Sequence, residues 1–201
     1  MARDGWYFII PLVVAAAASW FLGWPFVTGV LIFLAGFVAF FFRDPDRAIP
    51  ADSQVVVSPA DGKVIRIRQE EDGSTRLSIF LSVFDVHVNR APIEGTIVRQ
   101  DYRPGKFFIA SDDRASVQNE QLVITIRGER ELSFALIAGI VARRIIPWKK
   151  PGDAVNKGDR IALIRFGSRV DMILPHNCDL LAKKGDRVCS GRSIIARWKE
   201  G

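Results

Sequence analysis

The chain has 201 residues, of which 49% are hydrophobic and 25% are charged, so it is long enough for one domain with a core and an additional segment. Its two cysteines, Cys178 and Cys189, lack Cys-x-x-Cys spacing, which argues against a zinc site or a disulfide framework and fits a reducing compartment. The net charge of +6 indicates an anionic partner, and both nucleic acid and anionic lipid would satisfy it.

The N-terminal stretch favours lipid. Residues 6–42 form a run of 37 positions without a charged residue, interrupted only near Pro25. Helices over 6–22 and 25–42 would each be roughly 26 Å long at ~1.5 Å per residue, close to the ~30 Å hydrocarbon core of a bilayer. The run predicts a membrane hairpin that crosses the bilayer fully or dips into it. The alternative is a buried helical pair in a soluble protein.

Residues 1–47 are therefore predicted to form a membrane-anchoring helical hairpin with a polar exit. Arg3, Arg43 and Arg47 lie outside the two helices, whereas the turn between the helices carries no charge. The positive-inside rule then places both ends of the hairpin, and the domain that follows, on the cytoplasmic side of the cell membrane.

The remainder, residues 48–201, predicts a mostly β domain. Its apolar segments are short, rich in Val, Ile and Phe, and separated by turn residues. The predicted strands are 55–57, 64–67, 77–84, 95–99, 122–127 and 132–138. Residues 109–120 are the clearest exception, because they have neither a strand pattern nor a turn pattern.

One heptapeptide is repeated near the C-terminus. Residues 152–158, Gly-Asp-Ala-Val-Asn-Lys-Gly, recur as residues 185–191, Gly-Asp-Arg-Val-Cys-Ser-Gly, at an offset of 33, and an apolar segment follows each copy. Such turns resemble those of barrel-sandwich folds of the biotinyl and lipoyl carrier type. Neither copy has the lysine-bearing tip that carriers modify, so the likeness indicates architecture and not a shared function.

Between the two copies lies Arg-Phe-Gly-Ser-Arg-Val-Asp, residues 165–171. If this stretch is extended, alternation places Ser168 on the same face as Ile164, Val170 and Met172, which is the buried side. Taken alone, a Gly-Ser pair is typical of a turn. The segments around it favour a different interpretation.

Seven segments together resemble the short, type A form of the phosphatidylserine decarboxylase family, whose members process themselves and depend on a pyruvoyl group. They occur in the family's order and span most of the chain. The segments are FFRDPDR (41–47), SPADGKV (58–64), FLSVFDVHVNRAP (80–92), YRPGKF (102–107), ASVQNE (115–120), WKKPGDAVNKGDRIALIRFGS (148–168) and, overlapping the last, FGSRVD (166–171).

The resemblance implies self-cleavage between Gly167 and Ser168. In the family the serine hydroxyl attacks the preceding glycine carbonyl, and elimination then converts the serine into a pyruvoyl group. Its carbonyl forms a Schiff base with the substrate amine and accepts the electrons released as carbon dioxide leaves. The resemblance further implies no metal, and two fragments, 1–167 and 168–201, that stay together as a heterodimer.

A base near Ser168 is also implied, and His87 is the candidate. Asp61 and Asp85 are the two carboxylates that could orient it, and the sequence does not choose between them. Longer bacterial members have a second histidine three residues after the first, where this chain has Arg90, so the family's processing triad does not transfer unchanged. We expect His87 to serve in both processing and protonation, because triads are recognised by geometry and not by sequence position.

The substrate phosphate needs a cationic partner. Arg90, Lys106 and Arg169 are the candidates, although many of the chain's basic residues are expected to be solvated surface charges. His176 is expected in a surface turn.

The sequence thus predicts a membrane-bound proenzyme that converts phosphatidylserine to phosphatidylethanolamine. One alternative keeps the chemistry but acts on another serine phospholipid, such as archaetidylserine. A second alternative is a non-enzymatic, membrane-tethered β-sandwich that binds lipid or a protein. A nucleic-acid binder is disfavoured because the chain has no recognisable recognition module.

Overall fold

The computed structural model describes residues 1–105, 119–139, 144–164 and 168–199. The chain divides into two compact units, Met1–Asp46 and Arg47–Gly201. The first unit is helical and the second is built of β-strands. The predicted mostly β fold with a preceding helical hairpin is confirmed.

The first unit is a helical hairpin. A short 3-10 turn, Arg3–Gly5, leads into α1, Trp6–Phe21, and α2 covers Pro25–Phe41. The hydroxyls of Ser19 and Thr28 lie 2.7 Å apart in a buried hydrogen bond between the helices. This bond satisfies the two polar side chains where an apolar environment would otherwise penalise them.

The outer surface of the hairpin is apolar. Phe21 is 88% exposed and Phe26 is 83% exposed. By length and composition, the helical segment Arg3–Phe21 could cross a membrane, and Pro25–Phe41 is a shorter apolar helix. Large apolar side chains pointing outward all around a helix pair are expected where lipid replaces water. The hairpin therefore fits a membrane anchor.

The second unit consists of short strands. In chain order they are β1 Val55–Val57, β2 Gly62–Gln69, β3 Thr75–Leu81, β4 Val88–Arg90, β5 Gly95–Arg103, β6 Gln121–Arg127, β7 Glu131–Ala138, β8 Ile145–Pro147, β9 Ala154–Val155, β10 Arg160–Ile164, β11 Ser168–Leu174, β12 Cys178–Leu180, β13 Arg187–Val188 and β14 Ile194–Trp198. The predicted exception at 109–120 lies outside the described residues, except for Asn119 and Glu120.

Within the described residues these strands form three antiparallel sheets. The large sheet has the order β13-β2-β3-β11-β7-β6-β5-β9, and the two smaller sheets are β1-β14-β12 and β4-β10-β8. Val170 and Met172 of β11 point into the core, as do Ile79 of β3 and Leu136 of β7. The apolar positions of successive strands therefore meet on the inner face of the large sheet.

The 33-residue offset extends well beyond the repeated heptapeptide. Adding 33 to the first residues of β1, β2, β8 and β9 gives the first residues of β4, β5, β12 and β13, and adding 34 to the bounds of β10 gives those of β14. The two copies of the heptapeptide contribute β9 and β13, which lie at opposite edges of the large sheet. The domain is thus two similar halves that meet where β11 pairs with β7.

Two equivalent glycines mark the start of β2 and β5. Gly62 and Gly95 both have φ near +148°. A Cβ at Gly62 would lie 2.1 Å from the carbonyl oxygen of Phe80, and a Cβ at Gly95 would lie 2.5 Å from that of Arg127. Only glycine allows the backbone to approach the neighbouring strand so closely.

The halves differ in one connection that positions the site. A tight turn joins β6 directly to β7, whereas the equivalent pair, β3 and β11, has no direct link. The chain leaves β3 after Leu81 and forms β4 to β10 before it reaches β11 at Ser168, which pairs with Leu81. Ser168 therefore begins a central strand whose neighbour ended 87 positions earlier in the sequence.

Candidate functional site

Ser168 is the first residue of β11 and lies between Leu81 of β3 and Ala138 of β7. It is fully buried, as predicted, and its Oγ has no hydrogen-bond partner among the described residues. A buried hydroxyl without a partner is rare and costs about 1–3 kcal/mol. An unpaired buried polar group calls for an explanation, and a chemical role is one such explanation. Gly167, the other half of the predicted cleavage site, lies outside the described residues.

His87 lies just before β4 and is also fully buried. Its Nδ1 is 2.9 Å from the main-chain carbonyl oxygen of Asp85. Because a carbonyl oxygen only accepts, Nδ1 must carry the proton. In the neutral ring the lone pair then belongs to Nε2, which is the nitrogen that can act as a base.

Two backbone connections bring His87 and Ser168 to the same end of the domain. The carbonyl of His87 accepts a hydrogen bond from the backbone N–H of Ile164, at 3.3 Å, and another from the Asn89 amide, at 3.1 Å. Ile164 ends β10, and three residues separate it from Ser168. On the other side, Leu81 pairs with Ser168, and His87 follows Leu81 by six positions.

The Asp85 carboxylate caps a tight turn. Its Oδ2 accepts hydrogen bonds from the backbone N–H of Ser82, at 2.8 Å, and from the Ser82 hydroxyl, at 2.7 Å. Its Oδ1 lies 3.4 Å from Nη1 of Arg187. Asp85 therefore orients His87 through its main-chain carbonyl, while its carboxylate shapes the turn that precedes the histidine.

The Asp61 carboxylate joins three segments of the chain. Its Oδ2 accepts from Nη2 of Arg47 at 2.7 Å, and its Oδ1 accepts from the backbone N–H of Ser190 at 2.7 Å. Asp61 thus connects the 58–64 segment to Arg47, the first residue of the second unit, and to Ser190 in the second copy of the heptapeptide. Among the described residues, neither the Asp61 nor the Asp85 carboxylate has a hydrogen bond to the imidazole of His87.

Arg90, one predicted phosphate ligand, lies between the two heptapeptide turns. It is buried, and its Nη1 donates to the carbonyl oxygen of Gly158 at 3.0 Å. Its side chain also packs closely against Gly191, since a Cβ added to that glycine would lie only 3.0 Å from Cδ of Arg90. These contacts link both halves of the domain. Lys106, another predicted ligand, lies outside the described residues.

Arg169, the third predicted ligand, is 1% exposed. It forms a bidentate ion pair with Asp171, with Nε–Oδ1 at 2.6 Å and Nη2–Oδ2 at 2.9 Å, and Nη2 also donates to the Ser78 hydroxyl at 2.9 Å. Its Nη1 has no partner within the described part of the chain. Both faces of β11 are therefore buried, the inner one by apolar packing and the outer one around this ion pair.

The Arg169–Asp171 pair makes a strong stability prediction. Replacing Asp171 by alanine should lower the free energy of unfolding by about 3–5 kcal/mol, because it leaves a buried guanidinium without its counter-charge. Urea unfolding of the detergent-solubilised protein measures this. Glu131→Ala is the matched control, since the Arg127–Glu131 pair is 62% and 47% exposed and should contribute at most about 1 kcal/mol. Equal losses in the two variants would contradict the prediction.

Asn119 is a site residue that sequence reasoning did not single out, although it belongs to the matched segment 115–120. Its side-chain amide donates to the carbonyl oxygen of Ala138 at 2.7 Å, and the backbone N–H of Ala138 donates to the carbonyl of Glu120 at 3.0 Å. Because Ala138 is the cross-strand neighbour of Ser168, these bonds fix the backbone beside the serine.

Cys178 and His176 are reactive side chains that form no hydrogen bond with the described residues of this site. Burial raises the pKa of the Cys178 thiol to about 11, so it is protonated and a poor nucleophile at neutral pH. His176 is exposed, in the turn before β12, as predicted. In the described ranges no three His, Cys, Asp or Glu side chains form a cluster that could hold a metal ion.

Comparison with known proteins identifies the family. The phosphatidylserine decarboxylase family model matches residues 34–196. The chain is similar to the phosphatidylserine decarboxylase proenzyme of Solibacter usitatus, with 49% identity over 98% of this chain and 96% of that protein. It is also similar to the proenzymes of Symbiobacterium thermophilum, with 44% identity over 98% of this chain and 95% of that protein, and Erythrobacter litoralis, with 46% over 94% and 85%. The chain therefore belongs to the phosphatidylserine decarboxylase family, a family of decarboxylating enzymes made as proenzymes.

Proposed function

We propose that this protein is a self-cleaving proenzyme that matures into a pyruvoyl-dependent decarboxylase and converts phosphatidylserine to phosphatidylethanolamine. The observation that carries the proposal is the Ser168 hydroxyl, which is fully buried without a hydrogen-bond partner among the described residues and lies in the family's Gly-Ser motif. A hydroxyl held in this way is not stabilised in its resting state, which favours its use as a nucleophile.

In the proposed maturation, the Ser168 oxygen attacks the carbonyl carbon of Gly167. The C–N bond breaks, the hydroxyl proton passes to the freed amine, and an ester replaces the amide. Loss of the Ser168 Cα proton then expels the Gly167 carboxylate from Cβ and cuts the chain. The dehydroalanine left behind takes up water and releases ammonia, so that a pyruvoyl group begins the fragment 168–201.

Both proton transfers need a base, and we assign this role to His87. Its Nδ1–H is held by the Asp85 carbonyl, so the lone pair is directed to Nε2 in the neutral ring. Burial keeps water away from the imidazole, which strengthens its interaction with a nearby developing charge. Asp61 and Asp85 support the site indirectly, through the segment they hold and the turn they cap.

The residues at the start of β11 fit the position of a pyruvoyl group. Its carbonyl would supply an electrophile that condenses with the substrate amine and takes up the electron pair released as carbon dioxide leaves. This chain's contribution is placement, because β11 is hydrogen-bonded to β3 on one side and to β7 on the other. That pairing would keep 168–201 bound to 1–167 after the cut, as a heterodimer.

We further propose that residues 1–47 anchor the enzyme in the cell membrane and that residues 48–201 form the catalytic domain on the cytoplasmic side. The apolar exposed surface of the hairpin supports membrane insertion. The absence of charge in its turn, with Arg3 and Arg43 outside it, supports the orientation. Membrane anchoring also suits a substrate whose acyl chains remain in a bilayer.

Intact-mass analysis of the purified protein tests the proposal. We expect two chains, 1–167 and 168–201, with the shorter one lighter by one ammonia than a fragment that begins with serine. Treatment with a hydrazine should label only the shorter chain. A single full-length mass in protein that still releases carbon dioxide from phosphatidylserine would contradict the proposed chemistry.

A further inference from the structure

One edge of the large sheet is cationic on its outer face. Arg187 of β13 pairs with Lys63 of β2, and both side chains point away from the core. After a bulge, β2 continues with Arg66 and Arg68 on the same face. Four side chains on the outer face of these two strands are therefore cationic. We call this set, Lys63, Arg66, Arg68 and Arg187, the cationic edge.

A turn beside the cationic edge presents an exposed aromatic ring. Phe84 is 67% exposed. The turn is held firmly, because the Asp85 carboxylate binds the Ser82 N–H and hydroxyl and the Asp85 N–H donates to the Ser82 carbonyl at 2.9 Å. The contact between Asp85 and Arg187 joins the turn to the cationic edge. These bonds fix the main chain on both sides of Phe84, so the exposed part of the ring has a defined place on the surface.

Phe84 and the start of the cationic edge, at Lys63 and Arg187, lie at the end of the domain where the candidate site is found. His87 follows Phe84 by three positions. Leu81, which precedes the turn, pairs with Ser168, and Lys63 pairs with the adjacent Phe80. A lipid whose headgroup reaches Ser168 while its acyl chains stay in the bilayer requires this end of the domain to meet the membrane surface.

We infer that Phe84 and the cationic edge dock the catalytic domain on an anionic bilayer surface. An aromatic ring next to cations matches the boundary between headgroups and acyl chains, where apolar surface is buried and anionic lipid attracts Lys and Arg. This inference rests on the proposed lipid substrate, but it adds a specific surface and a preference for anionic bilayers.

Site-directed spin labelling of the full chain in lipid nanodiscs tests the inference. The nitroxide is attached at Phe84→Cys in a chain whose own cysteines are replaced, Cys178→Ser and Cys189→Ser. In discs containing phosphatidylglycerol this label should be accessible to oxygen and protected from a water-soluble nickel reagent. Glu71→Cys is the matched control, because residue 71 is exposed in the turn at the opposite end of the same β2–β3 hairpin. A label at 71 should remain fully accessible to the nickel reagent.

Charge and lipid composition should both change the result at residue 84. Replacing Lys63 by serine should weaken the contact by about fivefold. Discs of neutral phosphatidylcholine should weaken the contact of the chain with its cationic edge unchanged. Equal nickel access at 84 and 71 in anionic discs would overturn the inference, and so would protection at 84 that is the same in neutral discs. The readout needs no catalysis, and the mass of the same sample reports separately on the proposed self-cleavage.

Discussion

Replacing Ser168 by alanine is expected to leave a single full-length chain with no measurable decarboxylase activity. Alanine lacks the Oγ that attacks the Gly167 carbonyl, so neither the ester nor the pyruvoyl group can form. The fold should persist, because a buried hydroxyl without a partner among the described residues is replaced by a smaller apolar group at the same position of β11. A denaturing gel, intact mass and release of carbon dioxide from labelled phosphatidylserine measure the effect.

Ser190→Ala is the matched control for this variant. Ser190 is also fully buried, and its Oγ likewise has no hydrogen-bond partner in the part of the chain that the structure describes. Its bond to Asp61 comes from the backbone N–H and survives the substitution. We therefore expect normal cleavage of Ser190→Ala. Cleavage of Ser168→Ala at the same bond would mean that another group is the nucleophile.

Replacing His87 by asparagine should slow self-cleavage by roughly 10²–10⁴-fold, the usual contribution of a positioned base. Asparagine can still donate a hydrogen bond to the Asp85 carbonyl in place of Nδ1, so the local structure is preserved, but it cannot accept a proton. The rate is measured from the appearance of 168–201 after cell-free synthesis of the chain. Thermal unfolding of the same variant checks that the domain remains folded.

His176→Asn provides the control, because this other histidine of the chain is exposed. It should be cleaved at the normal rate. If His87→Asn and His176→Asn both mature as fast as the parent, the base assigned here is wrong. If His87→Asn is stable and uncut but His87→Ala is unfolded, the imidazole has both a structural and a chemical role.

Local sequence patterns predicted the elements of this fold well. The uncharged run predicted both helices to within one residue, because a span of apolar residues is a property of a single segment. Most predicted strands also agree with the structure. The segment 77–84 is the exception at its end, since β3 stops at Leu81 and the Asp85 carboxylate draws Ser82 into a turn.

The side-chain partners were much harder to predict. Asp85, near His87 in sequence, and Asp61, in the 58–64 segment, were the carboxylates predicted to orient His87, and that role stays a prediction. In the structure Arg47 and Ser190 hold the Asp61 carboxylate, and Asp85 contacts the ring through its main-chain carbonyl. Arg169 pairs with the residue two positions away and with Ser78, which is 91 positions away. Contacts between distant strands depend on which strands pair, and the alternation of residues within one strand does not identify its partner.

By itself, the sequence determined the helical hairpin and the β character of the second unit and singled out the Gly-Ser pair as the candidate cleavage site, since periodicity, uncharged length and matched motifs are all read along a single chain. Only the tertiary structure decided that Ser168 begins a central strand between β3 and β7, that the heptapeptide repeat extends to two similar halves of the domain, and that β11 is buried on both faces. These features arise from the pairing of strands far apart in sequence, which becomes defined only when the whole sheet assembles.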